Sequence, residues 1–506
     1  MLRTVTVKNG MIEGLPAADP CITSFKGIPY AAPPVGDLRW KAPQPASDWE
    51  GVLKAYKYGP IPMQTIRGMN RDSIYTREWN LDPTEEMSED SLTLNVWTPA
   101  KSADEKLPVL LWYYGGGYRE GSTTEKEFDG ERLARRGIIV VTANYRVNAF
   151  GFLAHPELTK ENPDAPSNFG FYDQRLAIIW VKENIAAFGG DPENITLGGQ
   201  SAGGGGVLSQ MTSPLTKGLF QRVIVDSAVS QMVYQTPRLR IRDLQSAEQN
   251  GVEFFKVLGV ETLEEARKLP AEYIRDKAYE HKFVFMPPVD GKFSTGNHHE
   301  QFLNADCDMK PMLFGHTSTE FPATPNVNSM EDLQAFARNY FGEEDAAEFM
   351  SLVSAQSGSV LECLNKATIP SFEFTCRLFC EMKEKKQVNI PLYYWVFNPE
   401  IPGWDNPGCF HSVDLWFWFE TLSKCWRPFV GKHYDLSRKM CNYWVNFIKT
   451  GDPNGVDADG NEMPHWDPYT VDNPCRMFLG DTVYPDNSAP SKLVRFLLDH
   501  EEKSRA

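Results

Sequence analysis

The sequence predicts a doubly wound α/β fold: a large, mostly parallel central sheet with helices on both faces. Three observations predict it. Short, almost unbroken apolar runs recur at Val109–Tyr113, Ile138–Ala143, Val223–Val225, Met312–Phe314 and Leu392–Phe397. Such runs suit strands buried on both faces, as in a parallel sheet, whereas half-exposed strands alternate. Between them lie helical stretches, the clearest being Asp173–Phe188 (DQRLAIIWVKENIAAF), apolar round most of its circumference and ended by Gly189-Gly190. Strands alternating with helices are the signature of this fold class.

In chain order, Thr4–Val7 and Met11-Ile12 flank Asn9-Gly10, a hairpin signal because both turn residues tolerate positive φ. Val109–Tyr113 runs straight into Gly115-Gly116-Gly117, and Ile138–Ala143 follows as the next buried strand. The long helix comes next, then a strand at Asn194–Leu197 and the start of a helix at Val207–Met211. The stretches 235–290 and 325–390 read as helix-rich insertions between later strands, and Leu493–Ala506 as a closing amphipathic helix. There is no repeat, charge block or low-complexity linker, so residues 1–506 are read as one domain.

Composition narrows the function. Apolar residues make up 42% of 506 and aromatics 12%, enough for a large core. The net charge of −16 repels nucleic acid and anionic lipid, which a binder must attract with Lys and Arg. No apolar run approaches the ~20 residues that cross a bilayer. The N-terminus, MLRTVTVKNG, carries no apolar signal segment. The nine cysteines are scattered without a C-x-x-C pair and read as reduced thiols, which points to the cytoplasm. His298-His299 has no acid-rich metal spacing and reads as a surface loop. Oligomeric state, monomer or homodimer, is not legible.

The densest chemical signal is Leu197–Gly206 (LGGQSAGGGG), six glycines in ten residues around one serine. Glycine is the costliest ordinary residue to order. Gly199-Gln200-Ser201-Ala202-Gly203 fits G-x-S-x-G, in which a strained strand-to-helix turn presents a serine Oγ above the sheet. The strand before and the helix after supply the setting the motif requires. A serine nucleophile needs a base, and a developing oxyanion needs preorganised donors. The bare N–H groups of Gly116 and Gly117, at the carboxyl end of a buried strand, and of Ala202, at the start of the next helix, are the candidate donors.

The resemblance extends well past the elbow. Phe25–Tyr30 with Pro33–Gly36, Glu89–Val96, Asn144-Tyr145-Arg146, Phe188–Pro192 and Gly451–Asn454 resemble, in order, the signatures of the type-B carboxylesterase family that includes the cholinesterases. The resemblance implies an α/β-hydrolase fold, a carboxylic ester substrate of small-molecule size, and no metal or organic cofactor. Met312–Phe321 (MLFGHTSTEF) is similar to the family segment holding the triad acid, which puts it at Glu320. Gly408–Asp414 (GCFHSVD) is similar to the segment holding the base, which makes it His411. The order Ser201, Glu320, His411 is the α/β-hydrolase order. His316 as base and Asp414 as acid are the competing assignments. Ser227 resembles a second family serine beneath the site, expected to give a supporting hydrogen bond.

The chain also departs from the family. Secreted members carry a disulfide at the positions that here are Pro62 and Ser91, so the intervening loop is unstapled, in keeping with a reducing cytosol and a bacterial-type relative. Trp79 lies in that loop, but its spacing does not predict choline specificity. Gln200 stands where animal members more often have glutamate, and four glycines follow Ala202 where about two are expected; a tight helix–sheet contact or room for a bulky substrate would both account for them. Tyr118, Phe321, Trp416 and Phe417 adjoin the motif residues and are candidates for an apolar substrate pocket, with core packing the alternative for the last two. The function expected is a serine carboxylesterase. The rivals are a deacylase for acetylated or feruloylated plant polysaccharides and a non-catalytic cholinesterase-like binding module.

Overall fold

A computed structural model describes residues 1–65, 74–78, 84–229, 242–320, 329–354, 359–457 and 459–505. Its frame is a sheet of strands β1 (Leu15–Pro16), β2 (Thr23–Pro29), β3 (Thr93–Thr98), β4 (Leu107–Tyr113), β5 (Ile139–Ala143), β6 (Gly190–Gln200), β7 (Arg222–Asp226), β8 (Met312–Thr317), β9 (Leu392–Phe397), β10 (Arg476–Leu479) and β11 (Val483–Asp486). They lie in the order β11-β10-β9-β8-β7-β6-β4-β5-β3-β2-β1. From β10 across to β5 every pairing is parallel. At one margin β5–β3, β3–β2 and β2–β1 are antiparallel, and at the other β10–β11 is. The sheet is therefore mixed, with the parallel centre that the unbroken apolar runs predict.

Helices cover both faces. Adjacent strand residues point to opposite faces, and Trp112 and Tyr113 at the end of β4 show what each face meets. The Trp112 ring packs 5.3 Å from Trp444 of a helix at Gly431–Thr450. The Tyr113 hydroxyl donates to the Gln174 carbonyl, 2.8 Å away, in α1 (Phe169–Asn184). Helix α1 begins four residues before the predicted start and continues as a 3₁₀ turn, Ile185–Phe188, closed by Gly189 at φ +84°. Helix α2 (Ala202–Thr212) follows the turn at Ser201 and packs against α1, β6 and β7.

Helices occupy the described parts of 235–290 and 325–390. Leu244–Leu258, Leu263–Lys268 and Ala271–Glu280 fill the first. Met330–Ser354, interrupted at Gly342, and Val360–Lys385 fill the second. The last helix, Lys492–Arg505, closes the chain against the second insertion. The N-terminal hairpin is shifted by one residue: Val7 pairs with Gly10, so Lys8-Asn9 make the turn and Gly10 starts the strand. Among the described residues no helix is long and apolar enough to cross a membrane.

Candidate active site

Ser201 sits between the last residue of β6 and the first of α2 with φ +53° and ψ −124°, a conformation that costs a non-glycine residue of order 1–3 kcal/mol. Its N–H donates to the Asp226 carbonyl at 2.9 Å, which ties the turn to β7. The surrounding glycines are explained by what a side chain would strike. A Cβ on Gly199 would fall on the backbone of Gly203, so the strand leaving and the helix returning touch main chain to main chain. A Cβ on Gly203 would fall on the Tyr113 carbonyl, and one on Gly205 on the Tyr118 hydroxyl. On Gly204 it would meet the Ala228 Cβ at 2.6 Å. Gly203 and Gly204 thus serve a tight contact of helix with strand ends, whereas Gly205 makes room for the Tyr118 hydroxyl and Gly206 for the Gln174 side chain of α1.

The loop after β4 turns back on itself through Gly116 at φ +107° and Gly117 at φ +64°, with Tyr118 at φ +60°. The Gly116 carbonyl accepts from the N–H groups of Arg119 and Glu120. Among the described residues, none accepts a hydrogen bond from the N–H of Gly116, Gly117 or Ala202. Gly115 lies against Ser201, where a side chain would stand 3.2 Å from the serine Cβ. The glycine loop therefore borders the Ser201 turn at Gly115, and Ala202 follows Ser201 directly.

Glu320 and His411 are both buried, and Glu320 Oε2 lies 2.5 Å from His411 Nδ1. A carboxylate acceptor selects the tautomer with the proton on Nδ1, leaving the lone pair on Nε2. The other carboxylate oxygen accepts from the Thr317 N–H at 2.9 Å and the Ser227 hydroxyl at 2.8 Å. Burial works against the charge of Glu320. The His411 imidazole and the hydrogen bonds from His411 and Ser227 outweigh it and hold the carboxyl below its usual range. His411 Nε2 faces Gln200, whose amide nitrogen is 3.2 Å away and also donates to the Ser412 hydroxyl at 2.6 Å. Sequence reasoning did not foresee this contact between the neighbour of Ser201 and the imidazole.

The competing assignments are engaged elsewhere. His316 is buried with Nδ1 2.7 Å from the Thr317 carbonyl and Nε2 2.7 Å from the Tyr394 hydroxyl. Asp414 is buried against Asp226 rather than on the His411 ring nitrogen. His298-His299, read from sequence as a surface loop, instead opens the helix His298–Leu303 packed against α2. His298 Nδ1 meets the Ser209 hydroxyl and His299 Nε2 the Ala228 carbonyl. Burial lowers both imidazoles, His299 to about 4.

The pocket candidates divide. Tyr118 is buried with its ring between Phe152 and Phe171, at 5.4 and 5.8 Å. Phe417 is fully buried against Phe397 and Phe429, and Trp416 is buried in the same core, so packing alone accounts for both. Phe321 and Trp79 lie outside the described residues. Pro62 and Ser91 line one small cavity of about 10 Å³ together with Arg146 and Glu89.

The carboxylesterase family model matches residues 2–484. The chain is 31% identical over 504 residues to a mouse cholinesterase, covering 91% of this chain and 81% of that protein. It is 29% identical over 510 residues to the para-nitrobenzyl esterase of Bacillus subtilis, covering 96% and 97%. A solved PNB esterase superposes with a TM-score of 0.82 at 28% identity, over 98% of this chain and 99% of that one. A Geobacillus stearothermophilus carboxylesterase does so at 0.79 and 27%, over 98% and 100%. With the sheet order above, these likenesses give the α/β-hydrolase fold.

Proposed function

The chain belongs to the carboxylesterase family and is a carboxylic ester hydrolase, and from that premise we propose that it works through an acyl-enzyme on Ser201, with His411 as base, Glu320 as its partner, and Gly116, Gly117 and Ala202 as oxyanion donors, within one domain. The single observation that carries this reading is the 2.5 Å contact between Glu320 and His411 Nδ1 beside the strained Ser201 turn. Ser201 Oγ adds to the ester carbonyl carbon while its proton passes to His411 Nε2. Charge builds on the carbonyl oxygen, which the three N–H groups are free to receive. The C–O bond then breaks, and the imidazolium returns the proton to the departing alkoxide. Water repeats the sequence on the acyl-enzyme and releases the acid. Glu320 fixes the tautomer and stabilises the imidazolium without taking its proton.

The substrate proposed is a small-molecule ester. The nine cysteines are all free thiols, which suits the reducing cytoplasm as the place of work. The test is hydrolysis of p-nitrophenyl esters, from acetate to decanoate, by the native protein and Ser201→Ala. Loss of about 10⁴-fold or more in kcat/KM in the variant is the expected result. A variant that keeps most of the activity would overturn the serine assignment. The chain-length profile of the native protein measures the acyl pocket.

A further inference from the structure

Beneath Glu320 lie two more carboxyls that the proposed mechanism does not use. Asp226 ends β7 and Asp414 follows His411 by three residues; both are fully buried. Ser227, held at φ +50°, joins the first of them to the site. Its hydroxyl is 2.9 Å from Asp226 Oδ1 and 2.8 Å from Glu320 Oε1. Asp226 Oδ2 and both oxygens of Asp414 receive no hydrogen bond from another N–H or hydroxyl among the described residues. What they meet is each other, carboxyl to carboxyl. Two carboxylates cannot hydrogen-bond without a proton between them.

Charge balance makes the same demand. Three buried carboxyls share this pocket with the imidazoles of His411 and His316, the latter pushed toward its neutral form by burial, and an unpaired buried anion neutralises rather than persists. Glu320 has donors on both oxygens and keeps its charge, whereas the pair has almost none. Burial and mutual repulsion push Asp226 well above the usual range, and burial with the nearby Glu320 charge pushes Asp414 up to about 7. The groups facing the pair are Glu320, His411 and the thiol of Cys409. His316 from β8 and Cys376 from the 360–385 helix face Glu320.

We propose that Asp226 and Asp414 form a proton-holding pair, retaining one proton between them while Glu320 is ionised, and that Ser227 couples the pair to Glu320. This rests on the reading of Glu320 as the partner of His411. The retained proton limits the negative charge under the imidazole. With a third full charge there, the imidazolium would be overstabilised and slow to return its proton to the leaving alkoxide. The single Ser227 O–H is contested between Asp226 Oδ1 and Glu320 Oε1, and a proton held by the pair makes Asp226 the weaker acceptor, so the hydroxyl donates to Glu320. Asp226, Ser227 and Asp414 are positioning residues: none meets the substrate, and no bond to them changes in the reaction.

The test is infrared spectroscopy of the intact protein above neutral pH, where an isolated aspartate is ionised. The carbonyl stretch of a protonated carboxylic acid is expected in the native protein, absent from the Asp226→Asn/Asp414→Asn double variant, and shifted but present in Ser227→Ala, which keeps the result readable if the double variant does not fold. A native spectrum whose acid band survives unchanged in all variants, or has no such band, overturns the pair. Ser201→Ala should keep the band while losing ester hydrolysis. Retained hydrolysis there would sink the serine reading and leave the infrared result to stand alone.

Discussion

The side-chain amide of Gln200 stands 3.2 Å from His411 Nε2, the nitrogen that the proposed mechanism needs for the Ser201 proton. The same amide nitrogen donates to Ser412, and its oxygen lies against Gly115, so the group spans the imidazole and the glycine loop. Gln200 can only donate through nitrogen, and it occupies the lone pair in the resting enzyme. Gln200→Glu replaces that donor by an acceptor and frees the lone pair. Because the side chain is a neighbour of the reacting groups and not one of them, kcat/KM is expected to stay within about tenfold of the native value. A loss as large as that of Ser201→Ala would put Gln200 in the proton path.

Gly205 and Tyr118 make a test of why glycine follows glycine in α2. A Cβ on Gly205 would fall on the Tyr118 hydroxyl, while the next ring atom is 3.3 Å off. Gly205→Ala should therefore destabilise by roughly 1–3 kcal/mol through overpacking. Tyr118→Phe in the same chain should recover most of that loss, since only the hydroxyl clashes. Gly203→Ala should not be rescued by any side-chain change, because its obstacle is the Tyr113 main-chain carbonyl. Denaturant melts of the two singles and the double give the coupling energy; additive losses would refute the contact.

The sequence showed the centre of the fold better than its margins. Strands such as β4 and β9 are buried on both faces and write themselves as apolar runs, LPVLLWY and LYYWVF. Strand β2 mixes Thr, Ser, Lys and Gly, and β11 is partly exposed, so neither stands out as apolar. At the site, the glycines and Ser201 were legible because a local turn demands them. The Gln200–His411 contact was not, because it joins residues 211 apart and only the packed sheet brings them together. Trp416 and Phe417 could not be sorted, since an apolar side chain reads the same in a pocket wall and in a core. His298-His299 misled for the opposite reason: two polar rings look solvated until Ser209 and the Ala228 carbonyl accept them.

Arg146, just after β5, and Asp173 of α1 form a buried ion pair. Two guanidinium nitrogens meet the two carboxylate oxygens at 2.7 and 2.8 Å, and the Arg146 N–H adds a third bond at 3.0 Å. Side-chain exposure is 4% and 0%, so neither charge has water to fall back on. Asp173→Ala leaves the guanidinium uncompensated and should cost about 3–5 kcal/mol. Lys268→Ala, which breaks an equally short but exposed pair with Glu264, should leave the melting temperature unchanged within error. Equal effects of the two would mean that Arg146 is solvated.

Stability should depend on pH through two opposing sets of groups. Asp414 keeps its proton to about 7 in the folded chain, whereas an unfolded aspartate releases it near ~4. Between those values folding takes up a proton, so this group's contribution falls as pH rises. His299 runs the other way. Folded, it stays neutral down to about 4, while the unfolded imidazole is protonated below ~6.5, so its contribution rises with pH across that window. His298, also lowered by burial, adds to the same side. The native protein should therefore show a shallow profile between these limits. Asp414→Asn removes the falling term, so its melting temperature should gain on the native value through the window and hold that gain above neutrality. His299→Gln should instead flatten the acid side. Melting curves in a buffer series read both, and an Asp414→Asn profile parallel to the native one throughout would show that Asp414 ionises as readily folded as unfolded.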